Sequence, residues 1–263
     1  MPAQPELVVQ PDPERLAADV AARLLVTLAH AQQNRGRAAL ALTAGSIMEA
    51  VWNAVAESSR SDSVDWSRVD VFWGDERFVP ADSSDRNETP ANRILFDRQP
   101  FAQARRFPMP ASDGEFGPDL DAAAAGYAEQ LRQARRADDV DEIPNFDVLL
   151  LGIGPDGHCA SLFPEHPGVY DDSAPVIPVR NSPKPPPNRI SLSFGGLDAA
   201  NEIWFVASGT GKAEAVAMAW SGAGRVQVPC AGPRGHRRTL WLVDRDAAAR
   251  LPADKDRDYR QVL

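Results

Sequence analysis

The sequence predicts an α/β fold of the doubly wound type, with a mostly parallel sheet and helices on both of its faces. Two features support this prediction. Short and almost continuously apolar segments recur along the chain, and strands of that kind are buried on both faces in parallel sheets. Several of these segments lead through a turn of small or charged residues into a segment with helical spacing, which is the repeating order of such folds.

The first predicted helix starts after Asp12 and runs to about Gly36. The Asp12 side chain can accept a hydrogen bond from a free N–H of the first turn. Pro13 suits the first helical position, and the charge of Glu14 suits the positive end of the helix dipole. This combination is typical of a helix start.

Five strands are predicted after this helix, at residues 38–42, 69–73, 146–151, 203–207 and 239–243. Further helical segments are expected at residues 47–56 and 120–137. No polar linker divides the chain, so a single domain over residues 1–263 is expected. Ligands of such sheets bind beyond the carboxyl ends of the strands, and the loops after the strands are therefore where a site is expected.

The composition excludes several classes of protein. With 43% hydrophobic and 25% charged residues, the chain has the composition of an ordinary globular protein. The formal net charge of -9 argues against nucleic acid or an anionic membrane as a partner. No apolar run approaches the ~18 residues of a membrane-spanning helix, and residues 1–20 lack the pattern of a signal peptide. A cytoplasmic location is expected.

The two cysteines, Cys159 and Cys230, lie far apart and have no CxxC spacing. Neither a disulfide framework nor a zinc site is therefore expected, and nothing in the sequence indicates a cofactor.

The first two loops after predicted strands have residues suited to anion binding. Residues 43–46 provide small side chains, free backbone N–H groups and the hydroxyl of Ser46 at a helix N-terminus, although an ordinary capped turn has the same composition. The next loop places Asp75, Glu76 and Arg77 directly after a strand. These charges are either solvated or part of a pocket.

The third loop, residues 152–163, is the most informative. Its glycines allow a sharp turn, and Asp156 and His158 are close enough in sequence to reach one pocket. Histidine has a pKa suited to proton transfer near neutrality, and a carboxylate can orient it. The alternatives are a histidine satisfied by structural hydrogen bonds and a metal site in which Asp156, Cys159 or His166 joins His158. The metal site lacks a recognisable ligand spacing.

Three further cations follow in the chain, Lys184, Arg189 and Lys212. Lys184 lies in a run of prolines, which we interpret as a stiff wall that presents a charge or, alternatively, as a ligand of an SH3-type domain. Residues 209–212 follow a strand and open a helix, so their amides and the Lys212 ammonium can meet an anion. They lack the full spacing of a P-loop.

Together and in this order, these segments resemble the 6-phosphogluconolactonase family, whose fold is shared with glucosamine-6-phosphate deaminases and ribose-5-phosphate isomerases. The resemblance rests on residues 73–77 with Asp85 and Asn87, and on residues 152–164, 183–192 and 209–212. The first loop departs from the family pattern, because Ala44 stands where a second glycine is usual and Ile47-Met48 replaces the common Thr-Pro.

The resemblance implies a carboxylic ester hydrolase that converts a small phosphorylated sugar lactone, 6-phospho-D-glucono-1,5-lactone, to 6-phosphogluconate in the oxidative pentose phosphate pathway. It implies that His158 activates water without a metal. Asp75 or Asp156 would orient the histidine.

By the same resemblance, the substrate is bound by a set of polar and basic residues. Arg77 and Lys212 would bind the phosphate. The other expected substrate-binding residues are Ser46, Lys184 and Arg189.

Two other functions are compatible with this fold. An amino-sugar phosphate isomerase or deaminase would use a similar Asp and His loop, but the deaminase loop continues with Asn and Glu after the histidine, where this chain has residues 161–164, Ser-Leu-Phe-Pro. A non-catalytic sugar-phosphate sensor would need a DNA-binding module, and the sequence has no spare basic helix-turn-helix segment.

Overall fold

The structure is a computed structural model and describes residues 4–252. The strands are β1 Glu6–Gln10, β2 Ala38–Leu42, β3 Val69–Trp73, β4 Asp75–Arg77, β5 Arg105–Arg106, β6 Val148–Gly152, β7 Val176–Val179, β8 Arg189–Leu192, β9 Glu202–Ala207 and β10 Arg238–Asp244. The α-helices are α1 Pro13–Arg35, α2 Ser46–Glu57, α3 Glu88–Ala91, α4 Leu120–Ala134, α5 Phe194–Asp198 and α6 Ala213–Trp220.

The main sheet has seven strands in the order β1-β10-β9-β6-β2-β3-β5, and every neighbouring pair is parallel. The predicted α/β fold class is confirmed. The buried aromatic side chains of Trp52, Trp73, Trp204 and Trp241 belong to one hydrophobic core cluster that includes residues of most of these strands. Among the residues described, no helix is long and apolar enough to cross a membrane.

The helix signals of the sequence act as predicted in α1. The Asp12 side chain accepts a hydrogen bond from the Arg15 backbone N–H at 2.8 Å, and Pro13 occupies the first position. Gly36, with φ of 78°, ends the helix in the left-handed region that glycine tolerates.

The boundaries differ from prediction by two or more residues at two elements. β6 begins at Val148, two residues after the predicted start, and α4 ends at Ala134 before the predicted residue 137. Strands β1 and β5 were not predicted. The single domain over residues 1–263 stays a prediction, because residues 1–3 and 253–263 lie outside the described residues.

A second, three-stranded antiparallel sheet in the order β4-β8-β7 was not predicted either. It starts directly after β3, and Gly74 joins the two sheets. The Gly74 N–H donates to the Leu42 carbonyl at 2.9 Å, and the Gly74 carbonyl accepts from the Leu192 N–H at 2.9 Å. The register pairs Arg77 of β4 with Arg189 of β8. This sheet therefore brings residues of the second loop beside the segment that follows the prolines.

Four adjacent strands, β9, β6, β2 and β3, deliver their following loops to one edge of the main sheet. These loops begin at Ser208, Ile153, Thr43 and Gly74. Parallel strands have their carboxyl ends at the same edge, so the four sequence motifs carried by these loops meet there.

Candidate active site

His158 and Asp156 form a close pair in the loop after β6. His158 Nδ1 lies 2.5 Å from Asp156 Oδ1. Burial alone would raise the pKa of the Asp156 carboxyl, but the hydrogen bond and charge of His158 and the charge of Lys184 lower it below its usual range. Because an ionised carboxylate only accepts, Nδ1 carries the proton and Nε2 is the basic nitrogen of the neutral ring.

Glycine is required at position 154 for a reason that the sequence did not show. A β-carbon on Gly154 would lie 1.9 Å from His158 Nδ1 and 2.4 Å from Asp156 Oδ1. The Gly154 N–H also donates to the His158 carbonyl at 2.9 Å. The loop therefore folds back on itself, and any side chain at this position would displace the pair.

Two lysines contribute positive charge to this pair. Lys184 Nζ lies 3.3 Å from Asp156 Oδ1 and 3.2 Å from His158 Nδ1. Since Nδ1 carries a proton, the Lys184 hydrogen bond goes to the carboxylate. Burial lowers the pKa of Lys212, the charge of Lys184 lowers it further, and the charge of Asp156 opposes the shift. The Lys184 ammonium, the carboxylate and the imidazole are thus in direct contact, and their charges act on Lys212.

Arg189 holds the proline segment in place. Its guanidinium donates to the carbonyls of Lys184 at 3.1 Å, Pro185 at 3.2 Å and Pro186 at 3.2 Å. It also lies over the Phe163 ring, 5.6 Å from the ring centroid, and that ring is 4.6 Å from the His158 ring. These contacts occupy the Nε and one terminal nitrogen of Arg189 and connect it to both Lys184 and His158.

Arg77 lies opposite Arg189 on the antiparallel pair β4 and β8. Its Nη1 donates to the Asp85 carbonyl at 2.5 Å, while its Nε is buried without a hydrogen-bond partner among the described residues. Burial lowers the pKa of Arg189, and the Arg77 charge adds to that effect while Asp75 and Glu76 oppose it. Two guanidinium groups in such proximity favour an anion.

Asp75, one of the two acids considered for orienting His158, forms no hydrogen bond with it and binds other residues. It is 4% exposed, its Oδ2 accepts from Ser161 Oγ at 2.7 Å, and its Oδ1 accepts from Asn87 Nδ2 at 3.2 Å. Asp156 is the carboxylate bonded to His158. The choice between the two, which the sequence left open, is decided by the fold of residues 154–158.

The protein-family model described as glucosamine-6-phosphate isomerases/6-phosphogluconolactonase matches residues 11–241. The chain belongs to this family.

Relatives and solved structures agree with this assignment. The 6-phosphogluconolactonase of Streptomyces coelicolor is 51% identical over 248 residues, covering 94% of this chain and 95% of the relative. The 6-phosphogluconolactonase of Homo sapiens is 36% identical and covers 90% of this chain and 88% of the relative. The structure of the Trypanosoma brucei 6-phosphogluconolactonase superposes with a TM-score of 0.79 at 26% identity, covering 95% of this chain and 99% of that one.

The structure of a monomeric glucosamine-6-phosphate deaminase, 18% identical, superposes with a TM-score of 0.74 over 93% of this chain and 99% of that one. At that identity the likeness extends to the fold alone.

Ser46 lies where this chain departs from the family pattern. It is the exposed first residue of α2, and Gly45 before it has φ of 137° without a side-chain cap on the helix. The loop places Ser46 at the same sheet edge as His158. The backbone here requires glycine at position 45, whereas Ala44 tolerates a side chain.

Three residues have supporting roles in the site that the sequence did not predict. Phe163 contacts His158, and Ser161 holds Asp75. Asp244, at the end of β10, accepts from Ser208 Oγ at 2.6 Å and from the Gly209 N–H at 3.0 Å, at the start of the loop that carries Lys212. The sequence signal that could have identified Asp244 is its position as an acidic residue directly after the predicted strand 239–243.

Neither cysteine forms a disulfide, and burial raises the pKa of both thiols, that of Cys230 to about 12. In the described part of the chain, no group of three His, Cys, Asp or Glu residues is arranged to hold a metal ion.

Proposed function

We propose that this protein hydrolyses 6-phospho-D-glucono-1,5-lactone to 6-phosphogluconate, a step of the oxidative pentose phosphate pathway. The observation that carries the proposal is the His158–Asp156 bond at 2.5 Å, which directs the proton to Nδ1 and leaves Nε2 as a base. The names and the high identity of the relatives support the choice of substrate.

In the proposed mechanism, His158 Nε2 takes a proton from a water molecule as that water attacks the lactone carbonyl. Asp156 stabilises the imidazolium that forms. The Lys184 ammonium, beside the pair, adds positive charge near the oxyanion of the tetrahedral intermediate. The ring C–O bond then breaks, and the imidazolium returns the proton to the departing ring oxygen.

We assign the substrate phosphate to Arg77 and Lys212, with Ser46 at the neighbouring loop. The partly exposed position of Arg77 opposite Arg189 supports its part in this assignment. The charges of Lys184 and Asp156, which act on the Lys212 ammonium, support the other. Binding of the phosphate would hold the lactone ring against His158, so that remote binding energy serves the reaction. Arg189 acts by holding the segment of Lys184.

The mechanism requires no metal or cofactor, because a lactone is an activated ester and one base with an oriented water is sufficient. We further propose a cytoplasmic location and no nucleic-acid partner, which the free thiols and the net charge of -9 support.

The test is an NMR measurement of the lactone's disappearance with and without the protein, with the spontaneous rate subtracted, after dialysis against a chelator. We expect rapid hydrolysis by the wild type and hydrolysis close to the spontaneous rate with His158→Asn. Ammonia release from glucosamine 6-phosphate in place of lactone hydrolysis would favour the deaminase function. Activity that is lost on dialysis and restored by zinc or magnesium would contradict the metal-free mechanism.

A further inference from the structure

The loop that carries His158 is attached to the strand that carries Arg77 through one buried carboxylate. Ser161 lies three residues after His158, and its hydroxyl donates to Asp75 Oδ2 at 2.7 Å. Asp75 lies two residues before Arg77 on β4. Ser161 is fully buried and Asp75 is 4% exposed, so solvent does not compete for this bond.

The other oxygen of the same carboxylate reaches the segment that holds the Arg77 side chain. Asn87 Nδ2 donates to Asp75 Oδ1 at 3.2 Å and to the Asp75 carbonyl at 3.0 Å. Two residues earlier, the Asp85 carbonyl accepts from Arg77 Nη1. Asp75 is therefore bonded on one side to the loop of the base and on the other side to the support of the arginine.

The backbone between His158 and Ser161 needs such an attachment. Ala160 has φ of 49°, a left-handed conformation that costs free energy in a residue other than glycine and persists only where the surroundings impose it. The Ser161 N–H donates to Ser191 Oγ at 3.2 Å, so Ser161 is bound to β8 through its backbone and to β4 through its side chain. Both strands of the Arg77 and Arg189 pair thus hold the loop of the base.

We infer that Asp75, through Ser161 and Asn87, is a positioning residue that sets the separation between the phosphate-binding Arg77 and the base His158. We call these three residues the Asp75 clasp. A substrate held at both ends depends on that separation, whereas a lactone without a phosphate does not. The kinetic consequence of the inference rests on the proposed function.

The kinetic test compares two substrates, 6-phosphogluconolactone and glucono-1,5-lactone. Ser161→Ala breaks the clasp on the side of the base, and kcat/KM for the phosphorylated lactone should fall about tenfold to a hundredfold, since a misplacement of about 1 Å has an effect of that size. The slower hydrolysis of glucono-1,5-lactone should fall by a smaller factor, because the separation from Arg77 does not affect a substrate without a phosphate. Ser161→Thr, which keeps the hydroxyl, should restore the selectivity for the phosphorylated substrate.

A matched control is Ser193→Ala. Ser193 is also buried, but its hydroxyl caps α5 by accepting from the Gly196 N–H at 3.2 Å and joins no two loops of the site. This substitution should lower the free energy of unfolding without changing the ratio of the kcat/KM values for the two substrates. An equal fall of both activities in Ser161→Ala would overturn the inference, because it would mean that Ser161 only orders the loop of His158. No fall in either would also overturn it.

A second measurement does not depend on activity. Asn87→Ala alters the clasp on the side of Arg77, and it should shift the NMR resonance of the His158 ring Hε1. The shift should vanish when Asn87→Ala is introduced into Ser161→Ala, since the connection to His158 is already broken. If the wild type fails to hydrolyse the lactone, the proposed function is wrong and this measurement still decides the clasp. A shift that persists in the Ser161→Ala background would contradict the clasp.

Discussion

The two edges of the main sheet use charged side chains in opposite ways. At the amino-terminal edge, Arg35 is surrounded by three carboxylates, with distances of 2.6 Å to Asp138, 2.6 Å to Asp139 and 2.9 Å to Asp147. Nearby, Asp70 is bonded to both Arg37 and Arg105. Cations and anions at this edge satisfy one another.

At the carboxyl-terminal edge, Lys184 pairs with Asp156, but two other acids are bonded to backbone N–H groups. Glu76 accepts from the N–H groups of Arg77, Asn87 and Glu88, and Asp244 accepts from those of Gly209 and Ala247. These carboxylates shape the loops that carry Arg77 and Lys212. Paired charges thus stabilise the fold at the amino-terminal edge. Arg77 and Lys212 at the other edge form no salt bridge among the described residues and are the groups proposed to bind an anion.

The difference between the two edges can be tested by substitution, and the largest loss of activity is expected from His158→Ala at the carboxyl-terminal edge. It removes the proposed base, so kcat should fall about a hundredfold to ten-thousandfold, while KM changes little because the phosphate contacts remain. Steady-state kinetics with background subtraction measures both constants. The free energy of unfolding should be almost unaffected, and a wild-type kcat would remove His158 from the mechanism.

The next largest effect is expected at the amino-terminal edge, where a substitution should lower the free energy of unfolding and leave the activity unchanged. Arg35→Ala leaves the buried Asp139 and Asp147 without this partner, and breaking such a pair costs about 3 kcal/mol. Urea denaturation should show that loss, with kcat/KM unchanged in the remaining folded protein. A loss of activity without a loss of stability would contradict the division of roles between the edges.

Lys212→Ala and Arg77→Ala should raise KM by about tenfold or more, since each loses a charge-assisted hydrogen bond to phosphate of roughly 1.5 to 3 kcal/mol, with a smaller effect on kcat. Arg37→Ala at the other edge removes an equal charge and should leave KM unchanged. If both substitutions in the site also leave KM unchanged, the phosphate is bound elsewhere.

The smallest expected effect is on the pH dependence of the free energy of unfolding. Burial raises the pKa of Glu76 to about 7, although Arg86 and three backbone N–H groups oppose the shift. The folded protein therefore holds this proton to a higher pH than the unfolded chain, so the stability it contributes is lost as the pH rises through about 7. Between about pH 5 and about pH 8, we expect this to lower the free energy of unfolding by roughly 2 kcal/mol.

The measurement is urea denaturation across that range. Glu76→Gln should flatten the dependence on pH, because the amide does not titrate. Glu129→Gln on the exposed face of α4 makes the same change of charge and should leave the dependence as in the wild type. A slope that persists in Glu76→Gln would show that another group causes it.

Much of the main sheet was predictable because its signals are local. The Asp12 cap, the end at Gly36 and the apolar segments of β2, β3, β9 and β10 each depend on neighbouring residues. The second sheet was not predictable in this way. β4 is three residues long and charged, and it becomes a strand because β8, more than a hundred positions away, supplies its hydrogen-bond partners.

The sequence by itself determined the fold class, the approximate positions of its main elements and the loops that carry the proposed functional residues, because each of these follows from short-range patterns of polarity and conformation. Only the tertiary structure decided that Asp156 binds His158 while Asp75 binds Ser161, that Arg189 holds the proline segment, and that Gly154 must lack a side chain. Asp75 and Ser161 are 86 positions apart. The choice of partner over such a separation depends on how remote segments pack, and no local propensity encodes it.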